Sequence, residues 1–583
     1  MRLQFNILSK NIFDRSNFLL AIPLVLSAFT HLWNPIGFPD IFYDEGIYMQ
    51  RSMRVLEGLG PQESSHRYDH PYFGQIFVAG ALGIVGYPDS LNLSNASSGG
   101  GGENDVLHSV ETLYIFPRVL MGLLAVADTF LIYKITERRY HNRNVALIAA
   151  IIFAVVPYGW LFRRIFLETI QVPFLLTSIL LAVYLKDLKI VERKKNNYSN
   201  SNSNNTLRYK TIAMVLLSGV SLGLSIFTKI PVFAMIPLVG FLIYTNTNSK
   251  NSSSSNTNTN NTNATTNNNY RRIKLRNLGI WFIPVILIPL IWPAHAMIIG
   301  EFDQWKHGVL WQTSERPSRP LIATIKTFFE MDPVLSVLSM AGLIFAALKR
   351  DFFLLLWVIP FLIFLYAIDY VSSFHLIPLV PAFSIAASRF LVEITGKIKI
   401  IKKNRIQQTL PFAVISGIVI FGLVSTTMLI TTNVNSSVYK ALAVIIQKLP
   451  NKDDTNSTTA GGGAAAAAVT LVGAPTYFWL PRYAYDKDFV DKTYYSRSSP
   501  KTQKYIVVAD RGFMASKSGT AISTEDINPT RPPNHMLQNL LDNSHTIATF
   551  LPDDTAKYYA ENYPYLDIRQ NPRPTAIEIK SNY

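Results

Sequence analysis

Residues 42–58 read FYDEGIYMQRSMRVLEG, with two adjacent acids, Asp44 and Glu45, at the head of a patterned segment. The stretch follows closely on the first long apolar run, Phe18–Trp33. From Asp44 to Leu56 the apolar residues fall at Ile47, Met49, Met53, Val55 and Leu56, roughly one face of a helix. Gln50, Arg51, Arg54 and Glu57 form the other face, and Gly58 and Gly60 close the segment. Such a helix is expected to lie along a membrane surface. An acid in its first turn satisfies free N–H groups, so capping is the plain reading of Asp44. The fold turns on whether that membrane exists and on which side of it the acids stand.

The rest of the chain supplies the membrane. Of 583 residues 49% are apolar and only 16% charged, and the mean hydropathy is +0.19. Runs such as Val145–Trp160, Ile280–Ile299 and Leu410–Ile430 approach or exceed the ~20 apolar residues that span a bilayer. Eleven spans are expected, near 17–35, 109–133, 144–161, 165–186, 211–228, 230–245, 277–298, 334–349, 352–371, 374–396 and 410–431. The first is read as an uncleaved helix, because no small-residue cleavage site follows it. The net charge of +16 is not the signature of a nucleic-acid binder. Its clusters, KDLKIVERKK, RRIKLR and KIKIIKKNR, lie between apolar runs, as the positive-inside rule places cytoplasmic loops. Segment 37–108 holds three Arg, no Lys and nine Asp or Glu, and is expected outside. The N-terminus is then cytoplasmic and the C-terminal region extracytoplasmic. There is no cysteine, so no disulfide or thiolate site is available.

The expected organisation is a transmembrane part, 1–431, with 37–108 as its first external loop, followed by a small extracytoplasmic α/β domain, 432–583. The latter begins with a GGGAAAAA linker and alternates short apolar runs (VTLVGAP, KYIVVADRGF, TIATFL, AIEIKS) with a helical pattern around HMLQNLLDN. Asn/Ser/Thr tracts at 196–205 and 246–269 are expected to be disordered cytoplasmic spacers, and NASSGGGGEN interrupts the first external loop. The sequons at Asn92, Asn435 and Asn456 are external candidates for glycans; those at Asn251 and Asn263 fall in cytoplasmic loops.

Charged residues inside spans are expensive and mark function by default. RYDHPYFGQIF (67–77) carries Tyr68 and His70, and FPRVLMGLLAVAD (116–128) puts Arg118 in the outer half of the second span. RRIFLETIQVPFLL (163–176) puts Arg163, Arg164 and Glu168 at the outer ends of the third and fourth, and SIFTKIP (225–231) puts Lys229 at that of the fifth. EFDQWKHGVLWQTSERPSRP (301–320) adds Arg316 among tryptophans suited to a sugar or to an interfacial belt. Cations and carboxylates on one membrane face suit a phosphate-bearing ligand with a carboxylate acting on something else. Each residue also has a plainer reading: Arg118 snorkelling, Lys229 anchoring a span end, Arg164 solvated, His70 a turn residue before Pro71, His375 structural.

In order, FYDEGIYMQRSMRVLEG, YDHPYFGQIF, PRVL, RRIFLETIQVPFLL, GLSIFTKIPVFAMIP and SFHLIPLVPAFSIAASRF resemble the motifs of the protein O-mannosyltransferase and lipid A aminoarabinose transferase superfamily, membrane glycosyltransferases of the GT-C fold. The resemblance covers about residues 17–431. It implies an all-α polytopic enzyme that moves a monosaccharide from a polyprenyl- or dolichyl-phosphate donor to a hydroxyl acceptor at the external face. Asp44 is then the general base, with Glu45 as support and Glu168 orienting an arginine or the sugar. Arg118, Arg163 and Lys229 bind the donor phosphate, and Tyr68, His70 and Arg316 bind substrate. No cofactor is required; Asp44, Glu45 and Glu168 are the candidate carboxylates for a divalent metal. Membrane lipid is a partner and nucleic acid is not. A transporter or flippase of lipid-linked sugars is the rival reading, though no internal repeat supports it. An oligosaccharyltransferase is a further one, and its Trp-Trp-Asp sequence is absent.

Overall fold

The computed structural model describes residues 15–61, 68–87, 103–196, 202–246, 262–316, 318–401, 405–452, 469–493, 504–510, 535–553 and 576–582. The alanine-glycine linker, the sequons at Asn92, Asn251 and Asn456 and most of the Asn-rich tracts lie outside them.

Among the described residues, six helices are long and apolar enough to cross a membrane, or up to eight if two bent pairs each count as one span. Of the eleven expected spans, those near 109–133, 165–186, 211–228, 277–298, 374–396 and 410–431 lie in these six. Those near 144–161 and 334–349 lie in the bent pairs, and the remaining three are shorter apolar helices. Among the described residues the protein is thus mostly helical and built as a multi-pass membrane protein, with six to eight spans by length and composition.

The bends have visible causes. Arg143–Val155 gives way to a 3-10 turn, Pro157–Arg163, at 70°. Helix Asn202–Thr228 stops at Lys229, whose backbone is extended, and a 3-10 turn Ile230–Met235 follows with Pro231 near its start. A third 3-10 turn, Ser373–Leu379, precedes Val380–Ile401. Proline lacks the N–H that would continue the ladder, and its ring restricts the preceding residue. Irregular backbone is tolerated in an apolar bundle where it is buried in protein or lines a cavity. Here the three turns hold Arg163, Lys229 and His375 at one end of the bundle.

At that end stands helix α2 (Tyr43–Leu56), which follows α1 (Arg15–Leu32). It has the expected bounds but not the expected setting. Glu45, Gly46, Tyr48, Met49, Gln50, Arg51, Ser52 and Met53 are all buried, on both faces. Helix Phe73–Ile84 covers part of α2, and the C-terminal region covers the rest. Its strands β1 (Val469–Gly473), β2 (Val490–Thr493), β3 (Lys504–Ala509), β4 (His545–Phe550) and β5 (Ile577–Ser581) form one sheet in the order β2-β1-β3-β5-β4. β1 pairs parallel with β2 and β3; β5 pairs antiparallel with β3 and β4. One sheet face shares a core with helix Ser436–Lys448 and with the 37–108 segment: Leu471, Ile506 and Ile579 pack in one cluster with Leu442, Met49, Met53, Val78 and Val106. The other covers Leu537, Leu540 and Leu541 of helix His535–Asp542. The expected α/β pattern is present, but its main core is shared with the first loop. Asn435, expected as a glycan candidate, is fully buried. Its amide donates to the carbonyls of Ile36 (2.7 Å) and Pro39 (2.6 Å) and accepts from Ile41 N–H (3.1 Å), so it ties the two regions together and is closed to glycosylation.

Candidate functional site

The two acids of α2 part company at once. Glu45 is the capping residue: its Oε2 accepts the N–H of Phe42 at 2.9 Å, and its Oε1 accepts that of Ile165 at 3.1 Å. Arg118 (2.9 Å) and Arg164 (3.3 Å) pair with the same carboxylate, which is fully buried. Burial alone would raise the Glu45 carboxyl; the two guanidinium groups and the backbone donors outweigh it and hold the group below its ordinary value. The cap expected at Asp44 is therefore supplied by its neighbour.

The arginines around Glu45 are committed to the backbone. Arg118 donates to the carbonyls of Pro35 (3.1 Å), Pro39 (2.7 Å) and Asp40 (3.2 Å). Arg163 donates to Thr30 (3.2 Å), Asn34 (3.1 Å) and Trp33, closing the end of α1. Arg164, expected to be solvated, is buried between Glu45 and Asp40. These side chains replace the water that the carbonyls of 30–40 lose on burial. The terminal nitrogens of Arg118 and Arg163, expected to bind donor phosphate, hold the chain that leads into α2.

Asp44 faces elsewhere. Among the described residues no hydrogen bond or ion pair engages its carboxylate. It lies within the electrostatic reach of Lys229, Glu168, Asp69 and Arg316. Burial pushes its pKa up to about 6, with Glu168 and Asp69 adding to the rise and Lys229 and Arg316 opposing it. Lys229 is buried, pairs with Glu168 and lies 5.0 Å from the Phe374 ring. Asp69 pairs with Arg51 at 2.7 Å. Burial opposes its ionisation, but Arg51 prevails and the carboxyl is held at about 2. His70 is pushed down to about 3 by burial and by Lys229, so it is neutral at ordinary pH. Its ring lies 6.4 Å from that of Tyr48, one turn along α2 from Asp44.

Arg316 is held differently from every other cation of the cluster. Its guanidinium sits over Trp311 (4.6 Å) and Tyr370 (4.3 Å), and among the described residues no carboxylate pairs with it. His375 is buried and its Nδ1 accepts the N–H of Ser372 at 2.9 Å, a capping role that leaves it near the cluster. Tyr68, expected to bind substrate, donates instead to Glu301 and is buried in a separate cluster with Tyr72, Phe227 and Trp292. It fastens the loop to the bundle. Arg51, Asp69 and Tyr48 were not singled out in the sequence. YDHP places Asp69 beside His70, but nothing local pairs it with Arg51 eighteen positions earlier. Among the described residues no group of three or more His, Asp or Glu side chains is placed to hold one metal ion.

The bundle with its proline-broken turns and α2 at one end has a fold that is also found in membrane glycosyltransferases of the GT-C type. Residues 62–299 match the family model of dolichyl-phosphate-mannose-protein mannosyltransferase. The fold is similar to that of oligosaccharyltransferase AglB from Archaeoglobus fulgidus, solved with an inhibitory peptide and a dolichol-phosphate. That likeness has a TM-score of 0.56 at 11% identity, over 97% of this chain and 88% of that one. Against the apo crystal structure of an Archaeoglobus fulgidus oligosaccharyltransferase the TM-score is 0.50 at 12% identity, over 83% of this chain. This chain spans 64% of that protein's length. ArnT from Cupriavidus metallidurans, bound to undecaprenyl phosphate, is more distant, with a TM-score of 0.46 at 10% identity over 97% and 98% of the two chains. No curated protein matches the sequence.

Proposed function

We propose that the protein transfers a monosaccharide from a polyprenyl- or dolichyl-phosphate to a hydroxyl acceptor, with inversion, at the extracytoplasmic face of the membrane. The charge distribution of the sequence supports that orientation: basic loops inside, α2 and the C-terminal sheet outside. Asp44 takes the proton of the acceptor hydroxyl as its oxygen bonds to the anomeric carbon; the bond from that carbon to the phosphate oxygen breaks, and the lipid phosphate leaves. Arg316 is the first candidate to meet the phosphate, because no carboxylate already neutralises it; Lys229, held by Glu168, is the second. His70 and Tyr48 border the acceptor side, and Glu45 with its arginines sets the backbone from which Asp44 projects. No step calls for a metal ion; transfer is expected to survive chelation with EDTA, and a loss that magnesium or manganese restores would revise this point.

One observation carries the reading. Of two adjacent acids, buried Glu45 has both oxygens engaged, while among the described residues half-buried Asp44 has neither engaged and lies within electrostatic reach of Lys229 and Arg316, its pKa raised to about 6. The experiment is Asp44→Asn in membranes supplied with radiolabelled polyprenyl-phosphate sugars and extracted acceptors. Transfer falls by roughly a hundredfold or more, while binding of the lipid-sugar persists. Wild-type transfer in this variant sinks the assignment. Undiminished movement of lipid-linked sugar across the membrane, without transfer by the wild-type protein, favours a flippase instead.

A further inference from the structure

The C-terminal region touches α2 at one point of unusual closeness. Trp479 follows β1, between the 3-10 turn Pro475–Tyr477 and the π turn Leu480–Ala484, and is 5% exposed. Its indole lies flat against the backbone of Gly46: a Cβ at that position would stand 2.2 Å from both Cδ1 and Nε1 of the ring. Only glycine permits this approach. Gly46 is two residues past Asp44, roughly 200° around the helix, so the indole bears on the side of α2 away from the free carboxylate. Behind it the ring meets Tyr114 edge-on at 6.1 Å; Tyr114 in turn lies 6.1 Å from Tyr439 and 5.5 Å under the Arg118 guanidinium that pairs with Glu45. Helix 103–140, helix 436–448 and the sheet thus converge on the first turn of α2 through aromatic rings.

We propose that the C-terminal region is a positioning element of the active site, with Trp479 pressing through Gly46 to set the depth at which α2 presents Asp44 to the donor. The inference rests on the glycosyltransferase reading for its kinetic consequences, not for the contact itself. Two-sided support accounts for what neither region explains alone. On the bundle side Glu45 ties the first turn to Arg118, Arg164 and Ile165 N–H; Trp479 meets the same turn from the C-terminal region. A ring stacked on a Cβ-less residue is a rigid stop with few rotamers to lose. Such a stop matters because a displacement of about 1 Å at a reacting group costs on the order of a hundredfold in rate.

Three full-length variants and one cross-link test this. Gly46→Ala places a methyl into the indole; kcat is expected to fall by on the order of a hundredfold, with the donor KM within about twofold of wild type, because the cations that hold the donor are untouched. Trp479→Phe keeps a flat ring and most of the activity. The double variant Gly46→Ala with Trp479→Ala removes the clash and is expected to transfer at least about tenfold faster than Gly46→Ala alone, a coupling of adjacent sites. Because kcat is taken per folded molecule, an alanine that merely weakens the fold leaves it at the wild-type value. Wild-type turnover in Gly46→Ala, or no rescue in the double variant, overturns the proposal. Because the chain has no cysteine, Gly46→Cys with Trp479→Cys reports the contact without any assay of transfer: a mild oxidant, copper phenanthroline, joins the two thiols as a disulfide in intact membranes. Failure to cross-link overturns the brace. If the wild-type protein transfers no sugar, the functional reading falls and the cross-link alone decides the brace.

Discussion

At the scale of single residues, adjacency in sequence conceals opposite roles. Asp44 has a folded pKa of about 6 against an ordinary 3.8. A base must be deprotonated to act, so kcat/KM is expected to rise with pH, level off above about 6 and follow unit slope below it; a flat profile from pH 5 to 8 contradicts the assignment. The stability consequence has the opposite sign from that of a paired carboxylate. With the folded value raised, the protonated form contributes stability that is present below the unfolded pKa and lost as pH rises through about 6. Asp44→Asn removes that cost, so its thermal midpoint at pH 7.5 should equal or exceed wild type. Glu45→Gln should behave in reverse. It leaves Arg118 buried without a counter-charge and Arg164 with Asp40 alone, at a cost of about 3–5 kcal/mol, and detergent-solubilised protein unfolds at a clearly lower temperature. Two neighbouring substitutions with opposite effects on the melting curve separate a functional acid from a structural one.

At the scale of elements, the site is made where helices stop. Periodicity reports that a helix exists, but a 70° break at Pro157 or a 120° bend at Asp332 is decided by a few residues and by what they touch. Asp332 is the clearest case: it caps helix Pro333–Leu348 by accepting from Leu335 N–H at 2.9 Å and also accepts from Tyr158 N–H at 3.3 Å, joining two broken spans. Asp332→Ala is expected to cost about 1–2 kcal/mol of stability through the lost cap, measured by thermal unfolding in detergent, with little change in donor KM. The amphipathic pattern of α2 was legible and its boundaries held. Its burial on both faces was not, because it is covered by helix Phe73–Ile84 and, from more than 400 positions later, by Trp479.

At the scale of the whole molecule, the two ends of the bundle are built for different tasks. Away from the site, Asp351 accepts from Tyr140 at 2.7 Å, pairs with Arg139 at 3.5 Å and with Arg389, and so joins helices 103–140, 352–368 and 380–401. Asp351→Ala should lower the thermal midpoint of the purified protein while kcat of the folded fraction stays at the wild-type value. A large loss of kcat at unchanged stability would show that this end communicates with Asp44. Among the described residues all charges of the Asp351 cluster are paired at this end, whereas the site end keeps one carboxylate and one guanidinium without an ionic partner.

The sequence alone determined the membrane class, the placement of most helices, the helix that carries the acids and the set of charged residues that gather at one end. Those follow from hydropathy, periodicity and charge, which are local properties of the chain. Only the tertiary structure decided which charges neutralise one another. Arg118, Arg163 and Arg164 are spent on carbonyls and on Glu45, and Asp44 and Arg316 are left over. The reason is physical: a buried guanidinium is satisfied by whatever acceptors packing brings within about 3 Å, and these lie up to 133 positions away along the chain.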